Sequence, residues 1–420
     1  MGEPRAFRCV SCGREYEPWE HDYFCPHCGP VKGTLEVLYD YGSLSRKLSP
    51  LSFAQTRRFS LWRYEELLPV GFEYAVDLRA GWTPLYSRPE LAAELGLSGL
   101  WLKDDSLNPT GSYKDRATAV VIAAARYLGR SALTCASTGN TASSVAGFCA
   151  AAGIPAYIFV PEKTPRPKIA QLLAFGATVF AVKGDYSHAQ RLCEEARERF
   201  GWYDRSDGVS PINAEGKKTG AYEIWEQLGG KVPDYVLVSV GDGSVISGIC
   251  KGFLELHELG LAEAVPRVYG VQAEGAAAVA HAFARMRRGE GILPAEEPAE
   301  TLADSICVGN PKDVVKAVTY VDRTGGGFVT VSDEEIIGAV GELARKAGVF
   351  AEPAAAASYA GLLSLLRAGE IPEGSKVALV ITGSGLKNPE GALRAGGEPI
   401  PVPPDISTVE RILSPVGYED

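Results

Sequence analysis

The sequence lacks a long apolar run and an excess of basic residues. No apolar stretch approaches the roughly 20 residues that a membrane-spanning helix needs, and the first residues contain no apolar core of a signal peptide. The formal net charge is −10, which argues against broad nucleic-acid binding. We therefore expect neither a membrane nor a nucleic-acid partner, and we expect a cytoplasmic location.

Cysteines that could pair as disulfides are also scarce. Of the nine cysteines, four lie within the first 28 residues, and the other five are single and widely spaced. These five are Cys135, Cys149, Cys193, Cys250 and Cys307. Lone cysteines of this kind are typical of small core or surface thiols in a reducing compartment.

The four N-terminal cysteines form two Cys-x-x-Cys pairs. Cys9 and Cys12 make the first pair, and Cys25 and Cys28 make the second. Two such pairs can place four thiolates tetrahedrally around zinc, and the metal would supply folding free energy to a segment that has no core of its own. A redox pair or four unligated thiols are the alternatives. The pattern predicts a structural zinc ribbon over residues 1–42.

From about residue 98 onward, short apolar runs alternate with amphipathic stretches, which is typical of an α/β fold with parallel strands. The predicted strands are 100–103, 132–136, 156–160, 178–182, 235–240, 268–273 and 377–381. The predicted helices are 115–128, 142–152, 166–175, 187–200, 245–259, 333–347 and 354–368. The polar, Gly- and Pro-containing stretch 286–300 indicates a surface loop. A chain of 420 residues is long enough for two or three domains.

Functional residues of open α/β sheets gather where strands end, and two such loops follow the first two predicted strands. Lys114 stands at a predicted helix start, where the dipole favours a neutral amine that can act as a nucleophile, although an exposed cation is the alternative. The loop 137–141 offers hydroxyl and backbone N–H groups to a carboxylate, although Asn140 could be only a helix cap.

Two further loops follow later strands. Residues 241–245, Gly-Asp-Gly-Ser-Val, combine a strand end, a glycine turn and a helix start that can hold a phosphate. The dinucleotide-binding pattern G-x-G-x-x-G is incomplete because Ile246 takes the place of its last glycine, and no Walker lysine follows. A nicotinamide, flavin or nucleoside-triphosphate site is therefore disfavoured. Thr382 offers a neutral hydroxyl at the end of another strand, although it could merely cap a turn.

In this order and spacing, the four loops resemble those of the fold-type-II family of pyridoxal-phosphate (PLP) enzymes, and of the threonine synthases within it in particular. The matching stretches are 108–116, 137–141, 270–275, 308–311 and 382–389. The two cysteine pairs and residues 61–64 are similar to the N-terminal region of archaeal-type threonine synthases.

The resemblance implies a fold like that of the tryptophan synthase β subunit, with the cofactor between two open α/β domains and a small N-terminal zinc ribbon. We expect residues 43–97 to form the N-terminal part of the large domain. The smaller domain would span 98–185 and carry Lys114 and Asn140. The rest of the large domain, 186–420, would carry the phosphate loop and Thr382.

By the same resemblance, Lys114 would attach PLP as a Schiff base and act as general acid and base. Asn140 would bond the 3′-oxygen of the ring, and Thr382 would meet the ring nitrogen. The cofactor phosphate would be held by Gly241, Asp242, Gly243, Ser244 and Val245. The substrate α-carboxylate would be held by Ser137, Thr138 and Thr141.

The family reaction converts O-phospho-L-homoserine and water to L-threonine and phosphate, usually in a homodimer. The alternatives are another fold-type-II PLP enzyme, such as a cysteate synthase or a threonine, serine or diaminopropionate ammonia-lyase, and a non-catalytic zinc-bearing binding protein. Two positions depart from the family pattern: Asp242 in the phosphate loop and Trp82 in a stretch that is usually rich in glycine. Asp242 would repel a phosphate, so we expect it to point away or to cap the helix.

Overall fold

The computed structural model describes residues 2–292 and 297–413. Within these residues the strands are β1 (Ala6–Cys9), β2 (Glu15–Tyr16), β3 (Leu35–Leu38), β4 (Leu85–Ser87), β5 (Gly99–Asp104), β6 (Leu133–Ala136), β7 (Ala156–Pro161), β8 (Thr178–Val182), β9 (Tyr203–Asp204), β10 (Tyr235–Ser239), β11 (Arg267–Ala273), β12 (Gly327–Val331) and β13 (Lys376–Ile381). They form three separate sheets.

The α-helices of the same residues vary in length from one turn to four. They are α1 (Gly29–Lys32), α2 (Tyr41–Lys47), α3 (Pro50–Ala54), α4 (Pro89–Glu94), α5 (Lys114–Tyr127), α6 (Asn140–Ala152), α7 (Arg166–Ala174), α8 (Tyr186–Phe200), α9 (Ile212–Lys217), α10 (Thr219–Gln227), α11 (Ser244–Glu258), α12 (Ala278–Arg287), α13 (Val314–Arg323), α14 (Asp333–Glu342), α15 (Pro353–Arg367), α16 (Pro389–Gly396) and α17 (Ile406–Leu413). No helix in the two described ranges combines the length and the apolarity needed to cross a membrane.

The N-terminal segment forms a small antiparallel sheet in the order β2-β1-β3. Phe7 on β1 pairs with Val37 on β3, and both side chains are buried. The two cysteine pairs flank this sheet, since Cys9 ends β1 and Cys28 immediately precedes α1. The four cysteines therefore lie beside this small sheet.

Six strands form the largest sheet, in the order β12-β11-β10-β13-β5-β4. All neighbours run parallel except the edge strand β4, which pairs antiparallel with β5. The two central strands are apolar on both faces because each face is covered: Leu237 and Leu379 pack with α15, whereas Val236 and Val380 pack with α11. Because β5, β10 and β13 run parallel, their carboxyl ends lie at the same edge of the sheet.

A second parallel sheet has the order β8-β7-β6-β9. Helix α5 leads from the six-stranded sheet into it, and the carboxyl end of β6 leads into α6. These two sheets match the predicted architecture of two open α/β units.

The strand pairing differs from the predicted domain limits at residues 98 and 185. Strand β5 pairs with β13 in the six-stranded sheet, from Gly99↔Lys376 to Asp104↔Ile381. Strand β9 pairs with β6 in the four-stranded sheet. An alternating α/β pattern gives the order of the elements but not the partners of each strand, which is why the sequence leaves these two strands in the other unit.

The predicted strands are all present, each within one residue of its predicted limits. Predicted helix 333–347 is divided, because α14 ends at Glu342 and a π-helical turn, Leu343–Ala347, follows. In the predicted loop 286–300, α12 continues to Arg287, and residues 288–292 and 297–300 contain no helix or strand. The remainder of that loop, 293–296, lies outside the described residues.

Candidate active site

The loop before Lys114 is fixed by its own hydrogen bonds. The backbone N–H and the hydroxyl of Thr110 each donate to the Asp115 carboxylate, at 2.6 Å. The N–H of Tyr113 donates to the carbonyl of Thr382, at 2.8 Å. Lys114 is consequently held at the first position of α5, directly beside the end of β13.

A buried ionic network lies beneath the first turn of α5. Arg116 is fully buried, and its Nη2 lies 2.9 Å from Asp105 Oδ1 and 2.8 Å from Glu223 Oε2. Burial opposes the charge, but the two carboxylates hold the pKa of Arg116 well above its ordinary value. The network joins α5 to α10 and so limits how far Lys114 can shift.

Lys114 forms an ion pair with Asp207. The same carboxylate accepts hydrogen bonds from the hydroxyl of Thr141 at 2.8 Å, from Lys217 Nζ at 2.6 Å and from Arg205 Nη1 at 3.0 Å. Burial alone would raise the pKa of Asp207, but the three cations hold it well below its usual range. One charged carboxylate therefore connects Lys114 with the start of α6.

Asn140 begins α6, and its side-chain amide is buried. Nδ2 donates to Glu352 Oε1 at 2.9 Å and to Ser305 Oγ at 3.2 Å, while Ser305 donates to the other oxygen of Glu352 at 3.1 Å. Burial raises the pKa of Glu352 to about 7. Ser137 and Thr138 precede this amide and are partly exposed, in keeping with a loop that can receive a ligand.

The loop 241–245 turns tightly before α11 begins. Gly243 has φ +94°, and a Cβ added to it would lie 2.9 Å from Ala317 Cβ, so only glycine suits this position. Ser244 then starts a 15-residue helix, whose first backbone N–H groups have no partner within the helix. Such a helix start is a binding site for an anion.

Asp242 turns towards the neighbouring backbone and does not cap α11. Its Oδ1 accepts from the N–H of Lys312 at 2.7 Å, and its Oδ2 is buried without a hydrogen-bond partner among the described residues. Burial, assisted by the charge of Asp207, raises the pKa of Asp242 to about 7. Trp82 is the second departure from the family pattern. The guanidinium carbon of Arg63 stacks on its indole, 3.7 Å from the centroid of the ring.

Thr382 follows β13, next to the end of β10. Its hydroxyl lies 3.3 Å from Ser239 Oγ, so two neutral hydroxyls stand together at this edge of the sheet. A Cβ added to the next residue, Gly383, would lie 2.2 Å from Glu352 Oε1, so a side chain at this position would displace the Glu352 carboxylate. Thr382 is thereby placed beside the Glu352 and Asn140 pair.

The predicted cofactor residues thus come together from both larger sheets. They supply a primary amine, an amide, an anion-binding helix start and a neutral hydroxyl. These groups fit PLP, which presents an aldehyde, a ring oxygen, a phosphate and a ring nitrogen. Because Thr382 is no carboxylate, it would not keep the ring nitrogen protonated.

Five further residues of the site are missing from the sequence-based prediction: Arg205, Asp207, Lys217, Ser305 and Glu352. Arg205 and Asp207 follow the two-residue strand β9, and Lys217 ends the short helix α9, so no periodic pattern marks them. Glu352 carries a weak signal, because a Glu-Pro pair before an alanine-rich helix places a carboxylate at a helix start.

The four N-terminal cysteines converge as predicted. Their Sγ atoms all lie within 4.8 Å of one another, and those of Cys12 and Cys25 are 3.9 Å apart. Four thiolates at 2.3 Å from one zinc ion would be separated by about 3.8 Å. The cluster fits a tetrahedral metal ion.

Comparison with known proteins points to one family. The profile described as "Pyridoxal-phosphate dependent enzyme" matches residues 76–383. A threonine synthase of Methanocaldococcus jannaschii is 41% identical over 409 residues, which are 97% of this chain and 98% of the relative. A threonine synthase of Methanosarcina acetivorans is 37% identical over 411 residues, with the same coverage of both chains.

Solved structures share the fold at lower identity. The processed form of threonine deaminase isoform 2 from Solanum lycopersicum has a TM-score of 0.64 at 23% identity and covers 75% of this chain and 88% of its own. Diaminopropionate ammonia-lyase from Escherichia coli has a TM-score of 0.66 at 17% identity and covers 81% and 93%. At these identities the likeness concerns the fold alone.

Proposed function

The chain belongs to the threonine synthase family of pyridoxal-phosphate-dependent enzymes, and from this premise we propose that it converts O-phospho-L-homoserine and water to L-threonine and phosphate. One observation carries the proposal. Asp207 links the amine of Lys114 to Thr141 in the carboxylate loop and, through Lys217, to Ser244 in the phosphate loop. The attachment lysine, the carboxylate loop and the phosphate loop therefore belong to one hydrogen-bonded group.

In this proposal Lys114 carries the cofactor covalently, and Asn140 donates to the 3′-oxygen. Thr382 would donate to the ring nitrogen, and the backbone N–H groups of 241–245 would bind the phosphate. The hydroxyls of the carboxylate loop, Ser137, Thr138 and Thr141, bind the α-carboxylate of the substrate.

The cofactor supplies an electron sink for a carbanion at Cα. Lys114 is the base placed to remove the proton at Cα and to move the proton at Cβ. The α-carboxylate loop would orient the substrate relative to this amine, and Asn140 would hold the ring oxygen through a hydrogen bond. Lys114 is therefore the residue whose loss should abolish turnover.

The test is a substrate panel on the PLP-loaded protein. We expect phosphate and L-threonine to appear in equal amounts from O-phospho-L-homoserine. Lys114→Arg keeps a cation beside Asp207 but removes the attachment point, so it should release neither product. Lys168→Arg, at an exposed ion pair with Asp304, should keep full activity. A wild-type protein that binds PLP yet releases no phosphate would contradict the proposed reaction.

Asp207 also favours a second candidate on the same fold, an ammonia-lyase that acts on a diamino acid. A carboxylate beside Lys114 and Thr141 suits a substrate that brings a second ammonium into the site, whereas it repels a phosphate unless its cationic partners offset it. The panel should therefore include 2,3-diaminopropionate, L-threonine and L-serine, with ammonia as the readout. Ammonia without phosphate would select this candidate.

We further propose that Cys9, Cys12, Cys25 and Cys28 hold a structural zinc ion. The clustering of four thiols around one point supports the proposal. Elemental analysis should find one zinc per chain, and Cys12→Ser should lower that content whereas Cys307→Ser should not. Equal zinc in both variants would refute the site.

We propose, finally, that the enzyme acts in the cytoplasm as a homodimer, as the resemblance to the family suggests. Light scattering on the purified protein tests the dimer, since it should give twice the mass of 44.7 kDa for the chain.

A further inference from the structure

Besides Lys114, the site contains Lys217, a buried lysine that the proposed reaction leaves without a role. It ends α9, and its side chain is 0% exposed. Nζ donates to Asp207 Oδ1 at 2.6 Å and to Ser244 Oγ at 2.8 Å. The ammonium therefore lies directly against the first residue of α11.

The backbone is shaped to bring this lysine so close. A Cβ added to Gly248 on α11 would lie 2.6 Å from Lys217 Cβ and 3.0 Å from its carbonyl carbon. A side chain at position 248 would push α9 away from α11. The absence of one allows the end of α9 to reach the phosphate loop.

Lys217 brings a positive charge into contact with the loop through its hydrogen bond to Ser244. The only ionisable side chain within 241–245 is that of Asp242, which cannot attract a phosphate. An ammonium has three N–H donors, and Lys217 gives two of them to Asp207 and Ser244 among the described residues. Burial lowers the pKa of Lys217 to about 8 even with Asp207 beside it, so a second anion would find a favourable partner there.

We propose that Lys217 is a cofactor-binding residue whose ammonium is the charged partner of the PLP phosphate at the start of α11, with Asp207 as the residue that positions it. The inference rests on the proposed phosphate loop and is independent of which amino acid the enzyme converts. Lys114 and Arg205 also face Asp207 and keep that carboxylate charged, so Lys217 has a fixed anion on one side and the cofactor phosphate on the other.

The experiment compares PLP with pyridoxal, which has the aldehyde but no phosphate. Apoprotein is titrated with each compound and followed by absorbance, with circular dichroism as the check on folding. Lys217→Gln should weaken PLP at least about tenfold, which is the loss of one charge-assisted hydrogen bond, and should leave pyridoxal nearly unchanged. Inorganic phosphate should compete with PLP less well in this variant than in the parent protein.

Lys218→Gln is the matched control. Lys218 is the next residue, is equally buried and is ion-paired with Glu215 and Glu255, away from the loop. It should keep the parent preference for PLP over pyridoxal. If Lys217→Gln does not fold, Lys217→Met, which keeps most of the length of the side chain and removes the charge, gives the same comparison.

The inference would be overturned if Lys217→Gln, or Lys217→Met in its place, kept the parent ratio of PLP to pyridoxal affinity. An equal loss of affinity for both compounds would also overturn it. Neither result depends on turnover. A protein that fails to convert O-phospho-L-homoserine but loses its preference for PLP in Lys217→Gln would contradict the proposed reaction and support this role for Lys217.

Discussion

At the scale of single residues, the site contains two largely buried carboxyl groups in different states. Asp207 touches three cations and remains charged, whereas Glu352 has the neutral partners Asn140 and Ser305, and burial raises its pKa to about 7. Both are mostly shielded from water, so their neighbours decide which one keeps its proton. The charged group stands beside Lys114, and the group that can be neutral orients the amide.

This difference predicts a pH dependence of the free energy of unfolding of the apoprotein. A carboxyl group whose pKa is raised by folding binds its proton more tightly in the folded state. Its contribution to stability is therefore lost as the pH rises from the usual carboxyl pKa through the folded value of about 7, for both Glu352 and Asp242. Glu352→Gln keeps an acceptor for Asn140 and should reduce the loss between pH 5 and 8 by about 2–3 kcal/mol.

Urea unfolding followed by circular dichroism at several pH values measures the effect. Glu373→Gln, at an exposed position, is the control and should follow the parent curve. Parallel curves for Glu352→Gln and the parent would show that the carboxyl group keeps its ordinary pKa in the folded protein.

At the scale of elements, the strands and helices that can be predicted from the sequence are the longer, buried ones. Strands such as β7 and β10 are mostly buried apolar runs between turn residues, so their limits are predicted within one residue. Lys114, Asn140 and Thr382 follow strands of this kind and could be placed in the site. Asp207 follows β9 and Lys217 ends α9, and both elements are too short to show a period. Lys217 reaches the site through the packing of α9 on α5 and α11.

The packing of α9 on α11 predicts opposite effects for two glycines inside helices. Gly248→Ala would place a methyl group 2.6 Å from Lys217 Cβ and should destabilise the protein by about 1–3 kcal/mol and weaken PLP binding. Gly338→Ala on α14 meets no atom within 4 Å and should stabilise it by about 0.4–1 kcal/mol. Scanning calorimetry and a PLP titration measure both. Equal effects of the two changes would mean that α9 and α11 are not in close contact.

At the scale of the whole molecule, the N-terminal sheet is joined to the helices that carry the site. The hydroxyl of Tyr39 donates to Glu215 on α9 at 2.6 Å, and that of Thr34 donates to Asp313 at 2.9 Å. The backbone of Asp313 packs against Gly243, since a Cβ on that glycine would lie 3.2 Å from the Asp313 carbonyl oxygen. The cysteine cluster is thus mechanically connected with the phosphate loop.

This connection predicts that metal removal affects the cofactor. A zinc ion held by the four cysteines, as proposed, would provide much of the folding free energy of so small a segment, so a chelator should unfold it and release Thr34 and Tyr39. The melting temperature should fall, and the Kd for PLP should rise several-fold. Cys12→Ser should reproduce both effects without the chelator, and Cys307→Ser should produce neither. Loss of zinc with an unchanged Kd for PLP would show that the N-terminal segment is independent of the site.

The central claim is that four loops from two sheets form one cofactor site with Lys114 as its attachment point. Borohydride reduction of the PLP-loaded protein, followed by digestion and mass spectrometry, tests it most directly, because reduction fixes the cofactor to the lysine that carries it. We predict a single phosphopyridoxyl group on the peptide that contains Lys114. A group on Lys217 or on any other lysine, with Lys114 unmodified, would contradict the account.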